Sequence, residues 1–137
     1  MAKYKDTDLA YIAGLLDGEG TISIAAGSKK WPALRVEIAS TDYEVLHYAE
    51  QVLGVGKIHS QGQFHPLGGR PCFKYYIYCQ KASDVLGLVL PYLHIKKQQA
   101  ILGIKWQKNI VGRKQPGEVR KYYIDQMRAL NHKWRLL

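Results

Sequence analysis

Two hydrophobic periods alternate along this chain, and they do so twice in the same order: a helix pattern, then a pair of strand patterns. The first helix pattern is Asp8–Gly20, DLAYIAGLLDGEG, with Thr7 and Asp8 offering N-cap oxygens and Leu9, Ile12, Ala13, Leu15 and Leu16 as apolar members. In the following TISIAA, Ile22 and Ile24 alternate with Thr21, Ser23 and Ala25. Gly27–Pro32 reads as a hairpin connection with Lys29 and Lys30 at its tip. Over Ala33–Ser40, Leu34, Val36 and Ile38 face one way, and Arg35, Glu37 and Ala39 the other.

The second half repeats the plan. Thr41-Asp42 reads as a helix start, with Glu44 completing a capping box from Thr41. Val45, Leu46, Ala49, Val52 and Leu53 form its stripe, and Gly54-Val55-Gly56 ends it. A second hairpin follows: Lys57–Gln63, a loop containing His65–Gly69, then Arg70–Gln80. Lys57, His59 and Gln61 alternate with Ile58 and Ser60. Lys74, Tyr76 and Tyr78 alternate with Phe73, Tyr75, Ile77 and Cys79, and because both sets are aromatic-rich the facing of this strand stays open. Ser83-Asp84 caps a short helix, Val85–Val89, with Pro91 close behind. His94-Ile95-Lys96-Lys97 leads into a helix running to about Ile110, and a basic linker with Arg113 and Lys114 precedes a last helix, Glu118–Lys133.

The order is α-β-β-α-β-β-α with helices added at the end, an α+β class. Two hairpins give one four-stranded antiparallel sheet with helices on one face. The other face carries Ser23, Arg35, Glu37, Lys57, His59, Gln61, Lys74 and Tyr76, long donors and acceptors of the kind that read base edges. A solvated sheet face is the plainer alternative. The formal charge of +9 and pI near 9.6, with lysines at a loop tip, favour a polyanion partner.

At 137 residues the chain is expected to be one domain, 1–137. No apolar run is long enough to span a membrane, and the polar start MAKYKDTD reads as no signal peptide, so an intracellular protein is expected, in cytoplasm, nucleoid or organelle. Cys72 and Cys79 make no CxxC; a zinc site with His59 and His65 can be drawn, but two half-buried strand cysteines are the expectation.

Asp8–Gly20 is odd for an ordinary amphipathic helix. Ala10, Ala13, Gly14 and Gly18 are small and lie at helical spacing, and an interior Gly costs roughly 1 kcal/mol against Ala. Close approach of a second backbone gives Gly14 a reason to be there. Asp17 and Glu19 also stand at the helix end whose dipole disfavours negative charge. Such acids suit a metal ion or a reacting group, or else a solvated Gly-rich turn.

Ile12-Ala13-Gly14-Leu15-Leu16-Asp17-Gly18-Glu19-Gly20 resembles the signature of the LAGLIDADG homing endonucleases. The helix–hairpin–helix–hairpin order, Leu53-Gly54-Val55-Gly56-Lys57-Ile58, and Leu90-Pro91-Tyr92-Leu93 leading to Lys96-Lys97-Gln98-Gln99-Ala100 are similar to the family as well. The resemblance covers a core of about residues 6–110, leaving 111–137 as a C-terminal helical extension. It implies a saddle-shaped sheet over duplex DNA and site-specific double-strand cleavage by metal-dependent phosphodiester hydrolysis, with Mg2+ as the divalent cofactor. Glu19, with Gly18 beside it, would bind the metal. Lys96 is the matching catalytic lysine and Lys97 its rival. The water-positioning residue falls on Ser40 or Asp42.

A single motif per chain implies the homodimeric branch, with Ala10, Ala13, Gly14 and Asp17 at the seam and a near-palindromic target. Lys29, Lys30, Arg70, Lys97, Arg113 and Lys114 would join the sheet face on DNA. Free-standing length and Met1 point to an intron-encoded protein. Some members act as RNA maturases or DNA-binding regulators, which leaves intron RNA as a second partner.

Overall fold

The computed structural model describes residues 3–25, 32–60 and 71–133. Its order is α1 (Asp6–Glu19), β1 (Gly20–Ala25), β2 (Ala33–Ser40), α2 (Tyr43–Leu53), β3 (Lys57–Ser60), β4 (Phe73–Tyr78), α3 (Cys79–Val89), a 3-10 turn (Leu90–Tyr92), α4 (Lys97–Asn109) and α5 (Gly117–Asn131). The two hairpins lie side by side in one antiparallel sheet, β1-β2-β4-β3, joined through β2 and β4. Strand alternation sets the layering. Ile22, Ile24, Leu34, Val36, Ile38, Tyr75 and Ile77 are buried under the helices. The inward set on β4 is thus Tyr75 and Ile77, and Lys74, Tyr76 and Tyr78 belong to the outer face. Ile12 and Leu16 of α1, Leu46 of α2, Leu86 of α3 and Trp106 of α4 complete the core.

Several boundaries differ from the sequence expectations. The first helix starts at Asp6, so Thr7 and Asp8 lie inside it rather than capping it, and the N-cap position falls on Lys5, which has no side-chain acceptor; Asp6 and Asp8 accept the hydroxyls of Tyr92 at 2.8 Å and Tyr48 at 2.6 Å. Asp42, not Thr41, caps α2, its Oδ1 accepting the N–H groups of Glu44 and Val45 at 2.9 and 3.3 Å. At the other end of α2, Gly54 takes the left-handed conformation at φ 69°. The third helix begins at Cys79 rather than Val85, so Ser83 is a buried interior residue and not a cap. Neither cysteine lies in a strand. Cys72 precedes β4, Cys79 is exposed at the start of α3, and both are free. Among the described residues no cluster of three His, Cys, Asp or Glu forms, and His65, drawn into a zinc site above, lies outside them.

The C-terminal helix is integral to the fold. Met127 is buried, Tyr123 packs edge-on against Trp106, and the Asn131 amide donates to the Ile22 carbonyl at 2.8 Å. Strand β1 is an edge of the sheet, so α5 covers an edge that would otherwise invite pairing. No described helix is long and apolar enough to cross a membrane.

Candidate functional site

The end of α1 is tied to a loop 77 residues further along the chain. Asp17 is 8% exposed. Its Oδ2 accepts the His94 N–H at 2.8 Å, and its Oδ1 accepts the Lys96 N–H at 2.9 Å. Burial works to raise this carboxyl, but the backbone donors of His94, Lys96 and Ile95, with the Lys96 charge, hold it below its ordinary value. A carboxylate at a helix C-terminus is stable here because N–H dipoles and a cation oppose the helix field. Lys96 closes the arrangement, its Nζ donating to the Asp17 carbonyl at 2.6 Å. That carbonyl belongs to the last turn of α1, where carbonyls lack helical partners and cations are favoured.

Burial pushes the Lys96 ammonium down, against the opposing charges of Asp17 and Glu19. Lys96 therefore sits in the field of Glu19, whereas Lys97 is exposed as the first residue of α4. Of the two lysines, the fold brings Lys96 to the end of α1. Glu19 itself is exposed, at the junction with β1.

The small residues of α1 divide into two sets. Ala13, expected at a seam, is fully buried in this chain's own core, and Asp17 is consumed by the loop contact. Ala10, Gly14 and Gly18 are exposed, and a Cβ built on Gly14 or Gly18 meets nothing within 4 Å. Nothing described in this chain requires glycine at either place.

Ser40 and Asp42 lie at the end of β2 that pairs towards Gly20, since Gly20 registers with Ile38. Ser40 Oγ accepts the Asp42 N–H at 2.9 Å, and the Asp42 carboxylate is committed to capping α2. The Ser40 hydroxyl keeps its own proton to donate.

The outer sheet face is a lattice of charge and aromatic rings. Across the register run Thr21, Glu37, Tyr76 and Lys57, then Ser23, Arg35 and Tyr78, and then Ala39, Lys74 and His59. Glu37 pairs with Lys74 at 3.0 Å and with Arg35 at 3.6 Å. Its hydrogen bond raises the Lys74 ammonium above the ordinary lysine value. Tyr76 and Tyr78 stack with centroids 5.9 Å apart, His59 lies 5.5 Å from the Tyr76 ring, and Arg35 sits over that ring at 5.8 Å. Ser23, Arg35, Glu37, Lys57, His59, Lys74 and Tyr76 thus share one face. Tyr78, 50% exposed, shares that face as well. Its alternation with Lys74 and Tyr76 was the available signal.

Arg113 and Lys114 line a cavity of about 450 Å³ together with Pro32, at the end of the sheet remote from Gly20. Lys29, Lys30, Gln61 and Arg70 lie outside the described residues.

The profile of the LAGLIDADG-like domain family matches residues 6–81 of the 137. No curated protein matches the chain in sequence. Among solved structures, the homing endonuclease I-CvuI, crystallised with the I-CreI target in 2 mM Mg with the DNA not cleaved, superposes at a TM-score of 0.73. It is 20% identical, over 90% of this chain and 82% of its own. The archaeal intron-encoded homing endonuclease I-Vdi141I, complexed with DNA, gives 0.73 at 16% identity, over 91% of this chain and 84% of its own. The LAGLIDADG meganuclease I-AabMI, bound to uncleaved DNA, gives 0.59 at 24% identity, over 89% of this chain and 42% of its own. These likenesses give the fold, and with a family profile spanning more than half its length the chain belongs to the LAGLIDADG-like domain family.

Proposed function

We propose that this protein is a homodimeric, site-specific DNA endonuclease of the intron-homing kind, cutting both strands of a long, near-palindromic duplex by metal-dependent phosphodiester hydrolysis. One observation carries the reading. Lys96 is held on the Asp17 carbonyl at the end of a helix that finishes in the exposed Glu19 and whose open face is Ala10, Gly14 and Gly18. A bare backbone beside an incomplete acidic site is what a two-fold axis through a second α1 would require.

The donor set fits a divalent cation shared between chains. At the end of α1 one chain offers the exposed Glu19 carboxylate, with the Gly18 carbonyl next to it in sequence. Mg2+ is bound in many sites by one or two carboxylates plus substrate phosphate. When bound, the ion supplies Lewis acidity to the phosphodiester. The chain's own residues do the rest. The Lys96 ammonium, fixed on the Asp17 carbonyl, faces the developing phosphoryl charge. In this reading the Ser40 hydroxyl, which keeps its proton, orients a water, while Asp42 caps α2 beside it. The outer sheet face supplies base and phosphate contacts, and Arg113 and Lys114 serve the far end of the track. Lys97, exposed beside Lys96, serves phosphate rather than the reaction.

The test is cleavage of a duplex carrying the uninterrupted junction at the reading frame's insertion point, with and without Mg2+. The wild type should cut both strands with metal, and Glu19→Gln should bind without cutting. Tight binding that never proceeds to a nick in Mg2+ would sink the nuclease reading in favour of a binding-only protein. Sedimentation checks the dimer: a monomer on DNA would remove the case for one carboxylate per chain.

A further inference from the structure

We propose that Glu37 is a specificity-determining residue: it acts as an internal counter-ion that holds Arg35 and Lys74 off phosphate and aims them at base edges. This rests on the sheet face being the duplex-binding surface.

Glu37 is at the middle of that face, on β2, with Thr21 and Tyr76 beside it in register. A carboxylate there faces a polyanion, which is unfavourable unless the carboxylate does something cations cannot. Its two oxygens go to different cations: Oε1 takes Lys74 Nζ at 3.0 Å, and Oε2 takes Arg35 Nη2 at 3.6 Å. The Glu37 side chain is only 14% exposed, while those of Arg35 and Lys74 are 36% and 34% exposed. The acid therefore lies beneath its cations and presents little of itself to a ligand. Arg35 is held a second time, over the Tyr76 ring at 5.8 Å. A guanidinium drawn to a carboxylate at 3.6 Å and lying over a ring is biased against swinging to whichever phosphate is near, and it still has N–H groups to offer a guanine edge. Phosphate contacts hold a duplex without reading it, so restraining these cations exchanges non-specific affinity for discrimination.

The experiment needs no metal and no cleavage. Binding of random-sequence duplex is measured by fluorescence anisotropy in EDTA from 50 to 200 mM salt, and base preference by selection from a random duplex library. Glu37→Gln keeps the shape and removes the charge. It should bind random duplex more tightly at low salt. Its log–log salt slope should steepen by about 0.9 for each cation released to phosphate, roughly a threefold larger loss of affinity across that range per contact. The selected preference should flatten. Arg35→Met supplies an independent arm: it should leave the random-duplex slope unchanged while flattening preference.

An unchanged slope in Glu37→Gln, or a slope reduced by about 0.9 in Arg35→Met, overturns the proposal. So does loss of affinity in Glu37→Gln confined to selected sites, which would make Glu37 a direct base reader. A wild type with no salt-dependent duplex binding sinks the interface reading and this proposal with it. A wild type that binds but never cuts leaves the proposal intact.

Discussion

Replacing Gly14 with alanine should raise the stability of the folded chain and lower its tendency to dimerise. Within one chain the position is open: a Cβ there meets nothing within 4 Å, and the residue is exposed in the middle of α1. Alanine is then better than glycine by about 0.8–1.0 kcal/mol. With about 2.1 cal/mol/K of unfolding entropy per residue, a 137-residue chain should gain roughly 3 °C in Tm. At a two-fold contact between α1 helices the same methyl is added twice, on facing backbones. Overpacking of that kind costs about 1–3 kcal/mol, roughly 5- to 150-fold in the dimer dissociation constant. The assays are thermal unfolding at protein concentrations below the dimer constant, where association does not contribute to Tm, and sedimentation across a concentration series. Gly14→Leu extends the series with a larger wedge at the same open position. A Gly14→Ala chain with wild-type dimerisation and cleavage would refute the seam. One less stable as a monomer would refute the open face.

Asp17→Ala leaves the N–H groups of His94 and Lys96 without their acceptor and should cost roughly 2–4 kcal/mol at neutral pH in urea unfolding. Because the folded carboxyl titrates below its ordinary value, that contribution is complete above the unfolded value near 4 and fades as pH falls through the lowered folded one. The wild-type advantage should therefore shrink in acid, and a pH-independent difference would assign the loss to packing. Met127→Ala, buried where α5 meets the core, should cost about 2–5 kcal/mol in one cooperative transition. A loss under 0.5 kcal/mol would show that α5 lies outside the cooperative unit. Cys79 holds φ 57°, a conformation costing an L-residue about 1–2 kcal/mol, so Cys79→Gly should stabilise the chain by up to about 1 kcal/mol in the same assay. Lower stability would mean that the thiol contacts outweigh the backbone relief.

The first hairpin was legible because apolar residues at period two leave one reading of β1 and β2, whereas both sets of β4 are aromatic-rich and only its packing turns Tyr75 and Ile77 inward. Leu34, Val36 and Ile38 fell inward as expected. What escaped was decided by partners distant in sequence. Thr7 and Asp8 look like caps, but the helix has already begun at Asp6, and the hydroxyl of Tyr48, 40 residues away, donates to Asp8. Ser83-Asp84 looks like a helix start, yet α3 has already begun at Cys79, where no capping side chain announces it. Ala13 and Gly14 are equally small neighbours, and only the rotation of α1 against the sheet puts one in the core and the other on the open face. Which of Lys96 and Lys97 lies at the end of α1 likewise hangs on a loop held by Asp17.

These assignments give α1 three separate duties along one rigid element. Leu9, Ile12, Ala13 and Leu16 fix it to the sheet; Ala10, Gly14 and Gly18 face outward; Asp17 and Glu19 form its end. Because Asp17 holds the backbone of Lys96 and its carbonyl holds the ammonium, Lys96 is referenced to α1 rather than to α4, the helix it precedes. A change in the approach of two α1 helices would then move Glu19 and Lys96 together, as a unit, relative to the other protomer's pair. Gly14→Ala should alter the spacing between the two units and leave each intact. Asp17→Asn should loosen Lys96 within each unit and leave the spacing alone. Disturbances of independent distances contribute independently, so the double variant should lose cleavage rate by the product of the single losses. A combined loss far from that product would mean that the seam and the Lys96 loop are one mechanical element, and that the division of α1 into separate duties is wrong.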